Sequence, residues 1–219
     1  MRIHVAGIIP ILILLTGVLA ILYLLNWFFP QQTFIHYVLY ATGIVFMFFV
    51  VRFFRFPHRE PLQDEHAVYS GADGKVVAIE KVHTAEYFDA ECLQVSVFMS
   101  IYNVHINWSP FKGKIVYKKH HPGKHLVAFS PKSSLVNEHT SMVVRDDLGR
   151  EVMMRQIAGA VARRIIHKFD EGKELGRGEM IGMIKFGSRI DLLLPADADI
   201  KVKIGDKVRG AQSLIARLK

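Results

Sequence analysis

Lys75–Val82 reads KVVAIEKV and Leu93–Met99 reads LQVSVFM. Both stretches are rich in β-branched residues and alternate apolar with polar positions, the pattern of half-buried strands. Working outward, Lys114–Tyr117 (KIVY) and Glu151–Met154 (EVMM) repeat the pattern, and Gly, Pro and Asp separate the segments from Tyr69 onward. Short strands so punctuated predict a compact antiparallel β barrel or sandwich. One interruption, Ile157–Ile166 (IAGAVARRII), spaces its apolar residues at 157, 158, 161 and 165 and predicts a helix, giving a β-rich α+β domain. The C-terminal stretch from Asp191 predicts further hairpins, in a pattern that resembles biotinyl/lipoyl-type hammerhead domains. The Met-flanked carrier lysine of those domains is missing, so an attached biotin or lipoate is not expected.

The other end of the chain is different in kind. Of the 28 Lys and Arg residues only Arg2 falls within residues 1–51, and none of the 20 Asp and Glu does. Residues 3–29 and 34–52 are almost wholly apolar, and Pro30-Gln31-Gln32-Thr33 joins them. About 20 apolar residues cross a bilayer as a helix. Backbone groups in lipid must be satisfied within the segment, so a two-helix transmembrane hairpin over residues 1–54 is expected, followed by one domain over 55–219. Tyr23, Trp27, Tyr37 and Tyr40 flank the turn as interface aromatics do. Arg52 closes the second run and Arg55 and Arg59 follow it, which places the 55–219 domain on the cytoplasmic side of an inner membrane. A cleaved signal peptide is disfavoured, because no small-residue cleavage site follows the first run. A hairpin lying in one leaflet stays open.

Cys92 is the one cysteine, which excludes an internal disulfide and any cysteine-cluster zinc site. The net charge of +8 is not accompanied by aromatic-rich basic stretches, so nucleic acid is not an expected partner. His120, His121 and His125 lie in a basic stretch whose spacing matches no metal-ligand pattern, and it reads as a solvated loop with no metal.

Glu179–Asp191 reads EMIGMIKFGSRID, with Gly187-Ser188-Arg189 at its centre. Alone, such a serine is a turn former or cap. In context, the run from Arg155 through Pro195 resembles the C-terminal signature of the short, proteobacterial- and archaeal-type phosphatidylserine decarboxylases. These proenzymes cut themselves at Gly-Ser within Phe-Gly-Ser-Arg. Gly71–Val76 (GADGKV) resembles the family's Ala-Asp-Gly turn, and Tyr102–His105 (YNVH) its strand-end histidine element. Phe129–Glu138 (FSPKSSLVNE) resembles a segment that ends in Asn-Glu-Arg, with His139 here in place of the arginine. The resemblance covers roughly residues 55–219 in order.

The resemblance implies a serine-protease-like triad of Asp73, His105 and Ser188. His105 would take the Ser188 proton and Asp73 would orient the imidazole. Ser188 would attack the carbonyl of Gly187, the amide becoming an ester, and elimination would leave a β chain 1–187 and an α chain 188–219. The α chain would begin with a pyruvoyl group derived from Ser188, the covalent cofactor. Its ketone would form a Schiff base with phosphatidylserine, and loss of CO2 would give phosphatidylethanolamine. Asn137, Glu138 and Arg189 are candidate substrate contacts. Trp108 and Phe111, with Arg52 and Arg55, are candidate membrane contacts. A homodimer stays open. The rivals are a pyruvoyl enzyme for another headgroup, a membrane-anchored serine hydrolase with the same triad, and a non-catalytic lipid-binding module of the same fold.

Overall fold

The computed structural model describes residues 2–60, 64–124, 126, 136–159, 165–167, 169–184 and 187–219. The chain divides into two compact units, Met1–His58 and Arg59–Lys219.

In the first unit β1 (Arg2–Ile3) pairs antiparallel with β2 (Arg55–Phe56). Between them run α1 (Ile8–Phe28), entered through a 3-10 turn at Val5–Gly7, and α2 (Phe34–Phe53). With the turn included, the first apolar helix covers 24 residues and the second 20, each long and apolar enough to cross a membrane. Their side chains are mostly exposed, as expected where lipid replaces a protein core. His36 closes the turn. Its Nδ1 accepts from the Thr33 N–H at 3.2 Å, and its Nε2 bonds the Phe29 carbonyl at 3.0 Å. The Tyr40 hydroxyl and the Gln32 amide both donate to Asn26 Oδ1, at 2.8 and 2.6 Å, so the polar groups at this end satisfy one another.

The second unit is β-rich. Its strands are β3 (Ala67–Tyr69), β4 (Gly74–Thr84), β5 (Ala90–Met99), β6 (Ile106–Trp108), β7 (Gly113–His121), β8 (His139–Arg145), β9 (Glu151–Ile157), β10 (Ile165–His167), β11 (Glu174–Leu175), β12 (Met180–Ile184), β13 (Ser188–Pro195), β14 (Asp199–Ile200), β15 (Lys207–Val208) and β16 (Leu214–Arg217). The order β11-β7-β8-β9-β13-β5-β4-β15 makes one curled, half-barrel, antiparallel sheet. Two small sheets, β10-β12-β6 and β14-β16-β3, complete the unit. The four strand stretches expected from alternation fall within β4, β5, β7 and β9.

β13 sits between β9 and β5 and is buried on both faces. Successive strand side chains point to opposite faces. Ile190, Leu192 and Leu194 therefore join Val95, Val97, Met99, Met142 and Met154 in the main core. Leu193 joins Cys92, Val143 and Met153 in a smaller cluster on the other face, packed by Phe88 and Tyr117.

The helix expected over Ile157–Ile166 is not what its described ends form. Ile157 closes β9, registered with His139 and Arg189, and Ile165–Ile166 belong to β10. Sheet partners on both sides outweigh a weak helical pattern. Residues 160–164 of that stretch lie outside the described residues.

Candidate active site

Three neighbouring strands meet at one end of the large sheet. β13 begins at Ser188, registered with Met99 at the end of β5, and β5 lies beside the start of β4 at Gly74. Asp73 immediately precedes β4. His105 immediately precedes β6, after a turn that Asn103 closes by accepting from the Ser100 N–H and hydroxyl at 2.9 and 2.8 Å. The fold thus brings His105 against Gly187, the neighbour of Ser188, from a distant part of the chain. His105 and Ser188 are wholly buried.

The hydrogen bonds of His105 define its tautomer. A carbonyl oxygen can only accept, so the 3.0 Å bond to the Asn103 carbonyl puts the proton on Nδ1. The Gly187 N–H donates to Nε2 at 3.3 Å, which therefore carries the lone pair. A neutral imidazole aims its basic nitrogen at the peptide unit beside the Gly187–Ser188 bond. Gly187 itself has φ +67°, a left-handed conformation that glycine adopts without strain. The Ser188 hydroxyl donates to Met99 Sδ at 3.2 Å, a weak acceptor that holds Oγ loosely.

The described contacts give Asp73 a different task from orienting the imidazole. Its carboxylate accepts a two-pronged Arg59 guanidinium, at 2.5 and 2.7 Å, and the Gly210 N–H at 2.9 Å. Arg59 also stacks on Trp108, 4.3 Å from the ring centroid. The imidazole's Nδ1–H goes to the Asn103 carbonyl instead. The Arg59 side chain is buried. Only its place after an apolar segment was visible in the sequence, and pairing with Asp73 requires the fold.

Other expected contacts are also reassigned. Trp108 and Phe111 are each 2% exposed and cannot dip into a membrane surface from there. Trp108 is roofed by Gly210, where any side chain would collide with the indole. Ile101 and Tyr102, in the turn just before His105 in the chain, are exposed. The Asn137 amide is used up by backbone, accepting from Leu126 N–H at 3.0 Å and donating to the Leu126 and Ala158 carbonyls at 2.7 Å each. It fixes a loop rather than offering a substrate contact. Glu138 Oε1 lies 3.9 Å from His120 Nε2. Arg189 points to the sheet face opposite Ser188, where it pairs with Asp191 at 2.6 and 2.9 Å, both residues nearly or wholly buried. Arg52 and Arg55 lie in the first unit, Arg55 donating to the Arg52 carbonyl at 2.8 Å.

His120 and His121 lie on strand β7 rather than in a loop, and His125 lies outside the described residues. Glu86, His121 and His139 bring three potential ligand atoms within 4.8 Å of one another. The Glu86 carboxylate is already engaged by Arg155 at 2.9 Å, Ser141 at 3.0 Å and His121 at 2.7 Å, so its charge is neutralised without a cation. Burial pushes the Glu86 carboxyl up, but the bonds from His121 and Ser141 and the Arg155 charge outweigh it and hold it below its ordinary value. Burial, aided by the His121 and Arg155 charges, pushes the His139 imidazole down.

The family model described as Phosphatidylserine decarboxylase matches residues 46–216. The phosphatidylserine decarboxylase proenzyme of Amoebophilus asiaticus is 51% identical over 169 residues, covering 77% of this chain and 75% of the relative. The proenzyme of Cytophaga hutchinsonii is 42% identical over 201 residues, 90% of this chain and 91% of the relative. That of Bacteroides thetaiotaomicron is 45% identical over 184 residues, 84% and 81%. With a match across both the sheet and the Gly187–Ser188 bond, this chain belongs to the phosphatidylserine decarboxylase family.

Proposed function

We propose that the chain is a self-processing enzyme that decarboxylates phosphatidylserine to phosphatidylethanolamine, and that Ser188 is the residue it converts to a pyruvoyl group. The observation that carries this is the Gly187–Ser188 bond itself, with a left-handed glycine whose N–H rests on the lone pair of a buried histidine. A serine hydroxyl is a weak nucleophile until a base takes its proton. Rotation about χ1 moves Oγ from Met99 Sδ toward the Gly187 carbonyl, and His105 Nε2, on letting go of the Gly187 N–H, takes the proton. The Asn103 carbonyl keeps Nδ1 protonated and so keeps Nε2 basic. Asp73, neutralised by Arg59, braces the turn at Gly210 and the strand entry beside the site.

The site suits a pyruvoyl group at position 188, because Ser188 is dry and, among the described residues, its hydroxyl bonds only a thioether, which loses little when that oxygen leaves. Such a group supplies a ketone conjugated to an amide, an electron sink for an amino acid losing CO2. His105 Nε2, once protonated, is the general acid that returns a proton to the substrate carbon. Cutting between 187 and 188 leaves the 188–219 segment held by β13, which stays paired with β5 and β9. The substrate is confined to a bilayer. The two apolar helices anchor the chain there, Arg52 and Arg55 favour a cytoplasmic domain, and Ile101 and Tyr102 form the apolar tip that meets the lipid surface.

Intact mass spectrometry of the denatured protein tests this. Two chains are expected, divided between 187 and 188, the smaller bearing a ketone that reacts with hydrazine. Ser188→Ala should remain one chain and release no CO2 from phosphatidylserine vesicles. A wild-type chain that is continuous through 187–188, with ordinary serine in place, would overturn the proposal.

A further inference from the structure

Gln156 on β9 is wholly buried, and only one of its polar ends is used. Nε2 donates to Asn107 Oδ1 at 2.8 Å, and among the described residues Oε1 has no hydrogen-bond partner. Turning the amide over would set Oε1 against Asn107 Oδ1, two acceptors face to face. Native proteins keep few such orphaned acceptors, and each calls for an explanation, since an apolar side chain would avoid the penalty altogether.

The sheet register shows which residues share the face that Gln156 occupies. Gln156 is directly opposite Ile190, and Ser188 lies two residues along β13 on the same face. Gln156 and Ser188 are thus diagonal cross-strand neighbours, a separation of roughly 7–8 Å that a long side chain can span. A line of contacts joins them. Ser188 Oγ donates to Met99 Sδ at 3.2 Å, and Asn107 Nδ2 approaches the same sulfur at 3.7 Å. Asn107 then accepts from Gln156. An amide oxygen accepts and does not donate. Phosphate and carboxylate groups at neutral pH offer only acceptors, so the part of a phosphatidylserine headgroup that suits Oε1 is its amino group.

We propose that Gln156 Oε1 is the substrate-binding acceptor that holds the amino group of phosphatidylserine beside position 188, with Asn107 fixing the orientation of the amide. This rests on the function proposed above. Because Oε1 is closed off in the uncut chain, the acceptor becomes usable once cleavage parts 187 from 188, which couples binding to maturation.

The test compares processed full-length wild type, Gln156→Leu and Gln156→Glu in phosphatidylserine vesicles. Cleavage is read by intact mass and the ketone by phenylhydrazine. Amine binding is read by cyanoborohydride capture of the lipid on the smaller chain as its mole fraction is varied. Gln156→Leu should be cut and fully titratable by phenylhydrazine, yet need roughly 10- to 100-fold more lipid for half-maximal capture, the usual weight of a hydrogen bond to a charged group. Gln156→Glu, which keeps an acceptor, should stay within about threefold of wild type. Capture by Gln156→Leu at the wild-type mole fraction, or a folded but uncut Gln156→Leu, overturns the inference. If Gln156→Leu does not fold, two competitors decide with the wild type, one carrying hydroxyl and one hydrogen in place of the amino group. The hydroxyl compound should compete roughly tenfold better, and equal competition overturns the inference. A wild type without any ketone would instead defeat the underlying function, so the two failures are separable.

Discussion

Replacing Gly187 isolates backbone conformation from steric bulk. A Cβ at this position would meet nothing within 4 Å, so Gly187→Ala clashes with no neighbour. What it must bear is φ +67°, where a Cβ crowds the following carbonyl at a cost of about 1–2 kcal/mol. Holding the Gly187 N–H on His105 Nε2 requires that conformation. The reactive population should fall by the same free energy, slowing self-cleavage roughly 5- to 30-fold. Asparagine tolerates the left-handed region better than alanine, and a β-branched residue worse. The expected order of cleavage rates is Gly187, then Gly187→Asn, Gly187→Ala and Gly187→Val. The assay is a time course of cell-free translation, resolved by gel into uncut and cut chains, with Ser188→Ala as the uncut control. Equal rates for glycine and valine would refute the argument, because the left-handed geometry would then not be the reactive one.

Three further expectations concern separate parts of the molecule. His105→Gln should slow self-cleavage by about 10²–10⁴-fold, the usual worth of a positioned general base, and processing at the wild-type rate in the same time course would remove His105 from that role. Acidification should destabilise the uncut Ser188→Ala chain in detergent. The folded state holds His139 below its ordinary 6.5, so the unfolded chain takes up a proton there first, and Glu86, held below its ordinary 4.5, adds a second loss at lower pH. Urea midpoints should therefore fall as pH drops from 7.5 through 6, less so in His139→Gln, and a midpoint that rises over that range would contradict the His139 shift. Ile101→Asp combined with Tyr102→Ser should leave the cleavage pattern intact and lower CO2 release from vesicles severalfold, whereas unchanged release would remove that turn from the lipid surface.

Features that depend on neighbours along the chain are legible in the residues alone. Long uncharged runs declare two helices for an apolar solvent, because about 20 residues of any such helix span a bilayer. Alternation in KVVAIEKV and LQVSVFM declares strands, because a pleated backbone with one dry face demands it. The Gly-Ser bond stood out through its flanking residues alone. Where a local pattern met strong sheet pairing, as at Ile157 and Ile165, the pairing decided.

Which groups face one another is settled by the folded chain. Trp108 follows the His105 segment and resembles an interface aromatic, but packing under Gly210 and Arg59 encloses it. Asp73 and His105 looked like members of one relay, yet the carboxylate is satisfied by Arg59 and Gly210 while a backbone carbonyl sets the tautomer. Gln156 carries no local signal at all, and its meaning comes from register, which puts its side chain on the same face as Ser188. Helix and strand patterns are written in short-range periodicity. Hydrogen-bond partners and burial depend on residues tens to hundreds of positions away, and those meet only when the sheet has formed.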